Sequence, residues 1–239
     1  KSLERKDHRF YKKYLLNSGE GLGLPSPYFD GEILLALTKA ARFHNRPDLR
    51  AVAVRVADAT FDAYVAQPLK ERQRDDRLKG FFQWGCMAFG ELYESGWPGT
   101  QQYAQRTIRM AYWMIDVHGT LGRAGNTAYA HEGIIVAHRL AQLTADKIAM
   151  RKFRSAINRG LGKLMTWQVG APFANEFLSK HPTDDPRSVG GVLGGADLPW
   201  LRIDTTQHQT HAVILARRYV WNHEPGEIAE EPDSENPSR

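Results

Sequence analysis

Four short stretches of the chain concentrate side chains that can transfer protons or bind polar ligands. They are "YFDGE" at 28–32, "FFQWG" at 81–85, "NTAYAHEG" at 126–133 and "RIDTTQHQTH" at 202–211. Each contains aromatic, acidic or amide side chains, the last also contains imidazoles, and each follows a segment containing Gly or Pro. Carboxyl and imidazole groups are common general acids and bases, and aromatic rings offer flat apolar faces to ligands. We therefore expect the four stretches to line one polar cavity.

Within these stretches, Glu132 is the first candidate for acid or base chemistry because it would stand one turn inside a helix beside Tyr129 and His131. Asp204 is the second candidate. Tyr129 or His208 could instead act as the base for proton transfer at a carbon next to a carboxylate. The expected substrate-binding residues are Tyr28, Asp30, Glu32, Trp84, Asn126, Arg202 and Gln207. The planar guanidinium of Arg202 suits a uronate or another anionic group.

The same residues also have purely structural explanations. Asp30 and Asn126 could cap helices, and Glu32 and Glu132 could be first-turn acids that favour the helix dipole. The remaining alternatives are an ion pair between Arg202 and Asp204 and core positions for Tyr28, Trp84 and Tyr129. The occurrence of such residues in all four stretches favours a shared site.

Metal and cofactor chemistry has weaker signals. His208 and His211 are spaced to present two imidazoles on one helix face, with Asp204 one turn earlier. Nine histidines make such a pair common by chance, so we predict neither a metal nor a cofactor. The single cysteine, Cys86, excludes an internal disulfide and a multi-cysteine metal site.

The segment "GGVLGG" at 190–195 lacks the Lys-Ser/Thr of a phosphate loop, and we expect a mobile or closely packed loop near the cavity mouth.

Helical periodicity places these stretches on helices. No segment shows a convincing alternation of apolar and polar residues with the period of two that indicates a strand. We predict an all-α fold with helices at 28–45, 47–67, 81–96, 100–119, 126–144, 145–168 (weakened near Gly160 and Gly162) and 202–221, and a long irregular segment at 169–200. The first six form three hairpins with a weak repeat of roughly 45–50 residues. The first helix of each pair is more apolar and contains small residues, which predicts an inner layer of helices shielded by an outer one. The domain prediction is an extension at 1–24, a helical-hairpin domain at 25–222 and an acidic, disordered tail at 223–239.

Composition and charge limit the classes of partner that the protein is expected to bind. The 239 residues carry a formal charge of +5 without a basic stripe, so nucleic acid is not expected. No run reaches the roughly 18 apolar residues of a membrane span. The polar start, "KSLERKDHRF", shows no apolar signal segment, although a leader could have been removed. A periplasmic or secreted location is slightly favoured over a cytoplasmic one.

The stretches "PYFDGEILLALTKAAR", "AGNTAYAHEGIIVAHRLA" and "RIDTTQHQTHAVILARRYV" together resemble the (α/α) toroid proteins. These include glycoside hydrolases, polysaccharide lyases and the C-terminal domain of glucuronyl C5-epimerases. The resemblance covers about residues 25–221 and implies a carbohydrate-active hydrolase, lyase or epimerase whose partner is a neutral or anionic oligosaccharide or polysaccharide. It rests on the order of helices and the placement of polar residues.

The chain supplies fewer predicted helices than such toroids usually have. The toroid is therefore expected to be incomplete, open, or completed by another chain or a missing segment. The alternative function is a non-catalytic helical-repeat module that binds a partner within a larger assembly.

Overall fold

The computed structural model describes residues 3–221, and in that part of the chain the fold is all-α apart from one small hairpin. The predicted tail at 223–239 lies outside the described residues. Strands β1 (Lys13–Leu15) and β2 (Glu20–Leu22) pair antiparallel. The helices are α1 (Pro27–Phe43), α2 (Arg50–Phe61), α3 (Gln67–Glu71), α4 (Asp76–Glu94), α5 (Gln102–Asp116), α6 (Ala128–Leu143), α7 (Lys147–Met165), α8 (Glu176–Lys180) and α9 (Ile203–Ala216). Single π turns, Asp62–Ala66 and Arg217–Trp221, follow α2 and α9, and short 3-10 turns span Pro47–Leu49 and Thr120–Gly122. None of the described helices is long and apolar enough to cross a membrane.

Helix α4 begins earlier than predicted. The Asp75 side chain accepts hydrogen bonds from the backbone N–H groups of Arg77 and Leu78 and so caps a helix that starts at Asp76. The stretch at 81–85 therefore lies in the second turn of α4, not at its start. In the sequence, the charged residues before position 81 obscure the start of α4 at Asp76.

Two other predictions need correction. Helix α7 passes through Gly160 and Gly162 without a break. The irregular segment at 169–200 contains a short helix, α8, because the Asn175 side chain accepts a hydrogen bond from the backbone N–H of Leu178.

Helices α1, α4, α6 and α9 form a row, here called the inner row, in which each contacts the next, and this row contains the four polar stretches. Helix α2 packs against α1, α5 against α4 and α6, and α7 against α6. Burial does not follow the predicted division into shielded inner and shielding outer helices throughout, because most residues of α1 and α9 are not buried whereas more than half of those in α5 are.

Small residues let the inner helices approach closely. A Cβ atom added to Gly31 of α1 would lie 2.8 Å from the Cβ atom of Trp84 on α4. One added to Gly90 would lie 2.7 Å from a Val136 methyl on α6, and one added to Gly133 would lie 2.5 Å from the Phe82 ring. These three contacts set how near α1, α4 and α6 can come, and so where their polar groups meet.

Gly160 has the same role between α6 and α7. A Cβ atom at this position would lie 1.9 Å from Cε1 of His131, whose ring is fully buried and whose two nitrogens find no hydrogen-bond partner among the described residues. Burial lowers the pKa of His131 to about 4, so the ring is neutral near pH 7. His131 is thus an interhelical packing residue.

Gly160→Ala is expected to destabilise the protein by about 1–3 kcal/mol, because the buried imidazole leaves no space for a methyl group. Gly162→Ala is the matched control: it lies two residues away on the exposed side of the same helix, and no atom of residues 3–221 outside that helix comes within 4 Å of an added Cβ. Alanine there should stabilise the helix by about 0.5–1 kcal/mol. Urea denaturation of both variants measures the difference, and equal effects would contradict this packing.

Candidate functional site

A buried carboxylate, Glu132, stands at the centre of the polar residues. Its side chain is 1% exposed although it lies in the second turn of α6. The side-chain amide of Gln83 donates a hydrogen bond to Oε2 of Glu132, and Nδ1 of His211 lies 2.7 Å from Oε1. Nδ1 of His208 lies 3.3 Å from Oε2. We call Gln83, Glu132, His208 and His211 the Glu132 cluster.

Three helices of the inner row build this cluster. Gln83 comes from α4, Glu132 from α6, and the two histidines from α9, where their i, i+3 spacing places both on one face. Because α6 packs against both α4 and α9, its acidic side chain lies between donors from the two neighbours. The stretches at 81–85, 126–133 and 202–211 therefore meet at one point.

The hydrogen bonds assign a tautomer to His211. A carboxylate only accepts hydrogen bonds, so Nδ1 of His211 carries the proton and Nε2 carries a lone pair when the ring is neutral. Nδ1 of His208 lies 3.0 Å from the Gln83 amide nitrogen and 3.3 Å from Oε2 of Glu132. The first neighbour is a donor and the second an acceptor, so these contacts fix no single tautomer for neutral His208.

Exposure differs between the two rings. The side chain of His211 is 44% exposed, whereas that of His208 is mostly buried. No group among residues 3–221 pairs with Nε2 of His211. The Nε2 atom of His211 is therefore an available base on an oriented ring.

Electrostatics favour a positive charge on His208. Its hydrogen bond with Glu132 raises the pKa of His208, burial opposes that shift, and the charges of Glu132 and Asp204 raise the pKa further. When protonated, His208 can donate from Nδ1 to Glu132 and still carry a proton on Nε2.

Aromatic residues adjoin the cluster. The Trp84 ring packs edge-on against His208 with 6.4 Å between ring centroids, and Tyr28 of α1 packs edge-on against Trp84 at 5.9 Å. Burial and the charges of Glu32 and Glu132 raise the pKa of Tyr28, so its hydroxyl stays protonated near neutral pH. Tyr28 is partly exposed, which places an aromatic face at the surface beside the cluster.

Three residues predicted on α9 and its approach lie outside the hydrogen-bonded cluster. Arg202 binds Asp204 through two bonds, Nε to Oδ1 at 3.0 Å and Nη2 to Oδ2 at 2.6 Å, and this pairing lowers the pKa of Asp204. Asp204 reaches the cluster only through its charge, which acts on His208. Gln207 is exposed. The structural alternative of an Arg202–Asp204 ion pair is the observed arrangement.

Asp30 has a structural position instead of the predicted place in the cavity. It is fully buried, accepts a 3.0 Å bond from the backbone N–H of Phe10 and accepts a second bond from the Tyr64 hydroxyl. Burial raises the pKa of Asp30 despite these bonds. Asp30 therefore joins the N-terminal segment to α1 and to the π turn that follows α2.

Asn126 and Tyr129 line a cavity that does not include the Glu132 cluster. The Asn126 side chain accepts from the backbone N–H of Ala128 and donates to the carbonyl of Leu193 at 3.2 Å. It therefore fixes the start of α6 to the glycine-rich segment. Burial raises the pKa of Tyr129.

The glycine-rich segment at 190–195 is closely packed, which is one of the two expected states. The hydroxyl groups of Thr205 and Thr206 bond the backbone of Val192, and a Cβ atom at Gly191 would lie 2.6 Å from Leu201. The segment is thereby fixed against the start of α9, which presents His208.

Sequence reasoning does not identify two members of the cluster by role. Gln83 lies inside the stretch at 81–85 but carries no predicted function, and His211 enters only as a possible metal ligand. In residues 3–221 no group of three or more His, Cys, Asp or Glu side chains is arranged to hold a metal ion. The sequence signal that could have identified Gln83 is its position next to Trp84, which places a buried amide beside an aromatic ring.

Comparison with known proteins gives no relative: no family model, no curated protein and no solved structure matches this chain.

The NMR-measured pKa of His208 is expected to fall when Glu132 is replaced by Gln, because the carboxylate that favours the charged ring is lost. A raised folded-state pKa contributes stability that is full below the unfolded pKa of about 6.5 and is lost as pH rises through the folded value. The destabilisation by Glu132→Gln should therefore be larger at about pH 5 than at about pH 8. Glu32→Gln, which removes the same charge beside the cluster, is the control. An unchanged His208 pKa in Glu132→Gln would contradict the assigned pairing.

Proposed function

We propose that this protein is an acid–base enzyme that removes the proton next to the carboxylate of a uronate-containing glycan, followed by elimination or epimerisation. One observation supports this most strongly: Glu132 holds the Nδ1–H of His211 and leaves its Nε2 as an oriented, partly exposed base. Such a buried carboxylate–imidazole pair fixes both the tautomer and the direction of a general base. Glu132 is accordingly a positioning residue.

Burial argues against direct catalysis by Glu132. Glycoside hydrolysis by two carboxyl groups needs both of them beside the scissile bond, about 5–9.5 Å apart. Both Glu132 oxygens are occupied by Gln83 and His211, and Asp204 is held by Arg202. Proton transfer by histidine fits this arrangement better than paired-carboxylate hydrolysis.

The proposed steps use the two rings in different protonation states. Nε2 of His211 takes the C5 proton of the uronate, and Nε2–H of protonated His208 donates a hydrogen bond to the carboxylate as negative charge develops on it. In elimination, the electron pair forms the C4–C5 double bond, the C4–oxygen bond breaks, and the leaving oxygen takes a proton from the Tyr28 hydroxyl. In epimerisation, the Tyr28 hydroxyl donates a proton to C5 from the opposite face and the C4–oxygen bond stays intact. In both reactions the proton on His211 afterwards returns through solvent to the Tyr28 phenolate.

Aromatic surface supports a sugar ligand at this place. Tyr28 and Trp84 form a connected aromatic pair beside His208, and an exposed ring face can stack on the C–H face of a pyranose. This agrees with the carbohydrate-active function that the resemblance to toroid proteins implies.

A second candidate function is a binding module within a larger assembly. Large apolar side chains stay exposed near α9 and its preceding loop: Ile203 is 89% exposed, and Trp200 and Ile214 are more than half exposed. Phe173 in the same irregular region is 75% exposed. Uncovered apolar side chains of this kind suit a partner surface, including a chain that completes a toroid.

Activity on neutral and uronate-containing glycans tests the first function. The proposal expects either unsaturated products, seen by ultraviolet absorbance, or deuterium incorporation from solvent without cleavage. His211→Gln should reduce this rate by about 10²–10⁴-fold, the usual contribution of a general base. His44→Gln, an exposed histidine at the end of α1, is the control and should retain full activity.

New reducing ends without unsaturated products would instead indicate hydrolysis. No turnover by the parent protein on any uronate substrate would favour the binding module. Either result would overturn the proposed elimination or epimerisation.

A further inference from the structure

The cavity that Asn126 and Tyr129 line, of about 590 Å³, lies where the end of α5, the start of α4 and the start of α6 meet. Its polar lining is strongly basic and consists of Arg74, Lys79, His118, Arg123, Asn126 and Tyr129. None of the acidic residues within 3–221 lines it. The cavity shares no residue with the Glu132 cluster, so a ligand site here is independent of the proposed enzymatic function.

The cations of this cavity lack acidic partners in the described part of the chain. Arg74 donates only to the backbone carbonyl of Val117, at 3.4 Å, and neither Lys79 nor Arg123 forms a side-chain ion pair with any residue of 3–221. Elsewhere on the surface, exposed arginines do find acids: Arg46 pairs with Asp48, and Arg187 with Asp185. Three such cations around one cavity create a field that concentrates anions.

His118 lines the cavity with a fixed ring. The residue is 4% exposed and belongs to the lining. Its ring stacks on Trp113, with 5.7 Å between centroids and 21° between planes. Its Nε2 is shielded from solvent and has no hydrogen-bond partner within residues 3–221, so this nitrogen does not face the cavity.

The charges around His118 indicate the sign of a ligand for this cavity. Burial, together with the positive charges of Arg123, Lys79 and Arg74, lowers the pKa of His118 to about 4, against a smaller opposing effect of Asp76. A cationic ligand would worsen this repulsion. An anion would neutralise the surrounding charge.

The start of α6 adds to the same field. Asn126, which lines the cavity, accepts from the backbone N–H of Ala128, and the first peptide N–H groups of a helix carry partial positive charge. At the start of α4 this charge is already taken up by the carboxylate of Asp75.

We propose that this cavity binds an oxyanion group, a carboxylate, sulfate or phosphate, through Arg74, Lys79 and Arg123, beside the ring of His118. All three groups share the chemistry of charge-delocalised oxygens that accept several charge-assisted hydrogen bonds. If the protein acts on an anionic glycan, such a site would hold a charged group of the glycan away from the reacting sugar.

NMR titration of the His118 imidazole tests this site with three probes: sodium sulfate, inorganic phosphate and glucuronate, each at ionic strength held constant with sodium chloride. The resonance is assigned by its loss in His118→Gln. A saturable shift is expected with at least one probe. Preference for sulfate and phosphate would identify a tetrahedral ligand, and preference for glucuronate would identify a carboxylate.

The double variant Lys79→Gln/Arg123→Gln should weaken this binding by about tenfold or more, equivalent to about 1.4 kcal/mol. The double variant Arg46→Gln/Arg187→Gln removes the same charge from distant exposed positions and should leave the affinity unchanged. Circular dichroism and thermal melting verify that both variants fold. Absence of a saturable shift with all three probes, or equal weakening by both double variants, would overturn the proposal.

Discussion

A carboxylate can be buried only if hydrogen-bond donors replace the water that it loses, and this requirement on Glu132 governs the centre of the molecule. The donors come from Gln83 on α4 and from His211 on α9, so neither neighbour can slide along α6 without leaving a charge unpaired. Removing one partner of such a buried pair typically costs about 3–5 kcal/mol. The cluster therefore fixes the register of three helices as well as the direction of an imidazole.

The cluster depends in turn on close helix packing. Gly133, next to Glu132 in α6, faces Phe82, which is next to Gln83 in α4. The glycine that leaves room for the phenyl ring therefore also lets the Glu132 carboxylate approach the Gln83 amide. Gly31 performs the equivalent task for Trp84, which carries the aromatic surface next to His208. Packing residues and residues with polar contacts alternate along the same helices. A substitution at a packing residue would therefore also displace the neighbouring polar groups.

Much of this could be predicted from the sequence because helical periodicity and glycine placement are local signals. The inner row α1, α4, α6 and α9 follows from the predicted order of helices. The polar stretches at 81–85, 126–133 and 202–211 meet in the Glu132 cluster, whereas Asp30 of the stretch at 28–32 binds Phe10 and Tyr64. The partner of each polar group could not be predicted. Asp30 and Glu132 look alike as early-helix acids, yet one binds Phe10 and Tyr64 whereas the other binds Gln83 and His211. The choice depends on which neighbour faces each acid, and that is set by tertiary packing.

The basic cavity could not be predicted for a similar reason, since Arg74, Lys79 and Arg123 are spread along the chain among mixed charges.

A double-mutant cycle on Glu132→Met and His211→Ala tests the central claim most directly, because it isolates the coupling between the buried carboxylate and the imidazole that it orients. Urea denaturation of the wild type, both single variants and the double variant gives the four free energies of unfolding. If the pair acts as a unit, the double variant should lose less stability than the sum of the single variants, by about 1–3 kcal/mol. Losses that add within about 0.5 kcal/mol would show that Glu132 does not hold His211 and would contradict the claim.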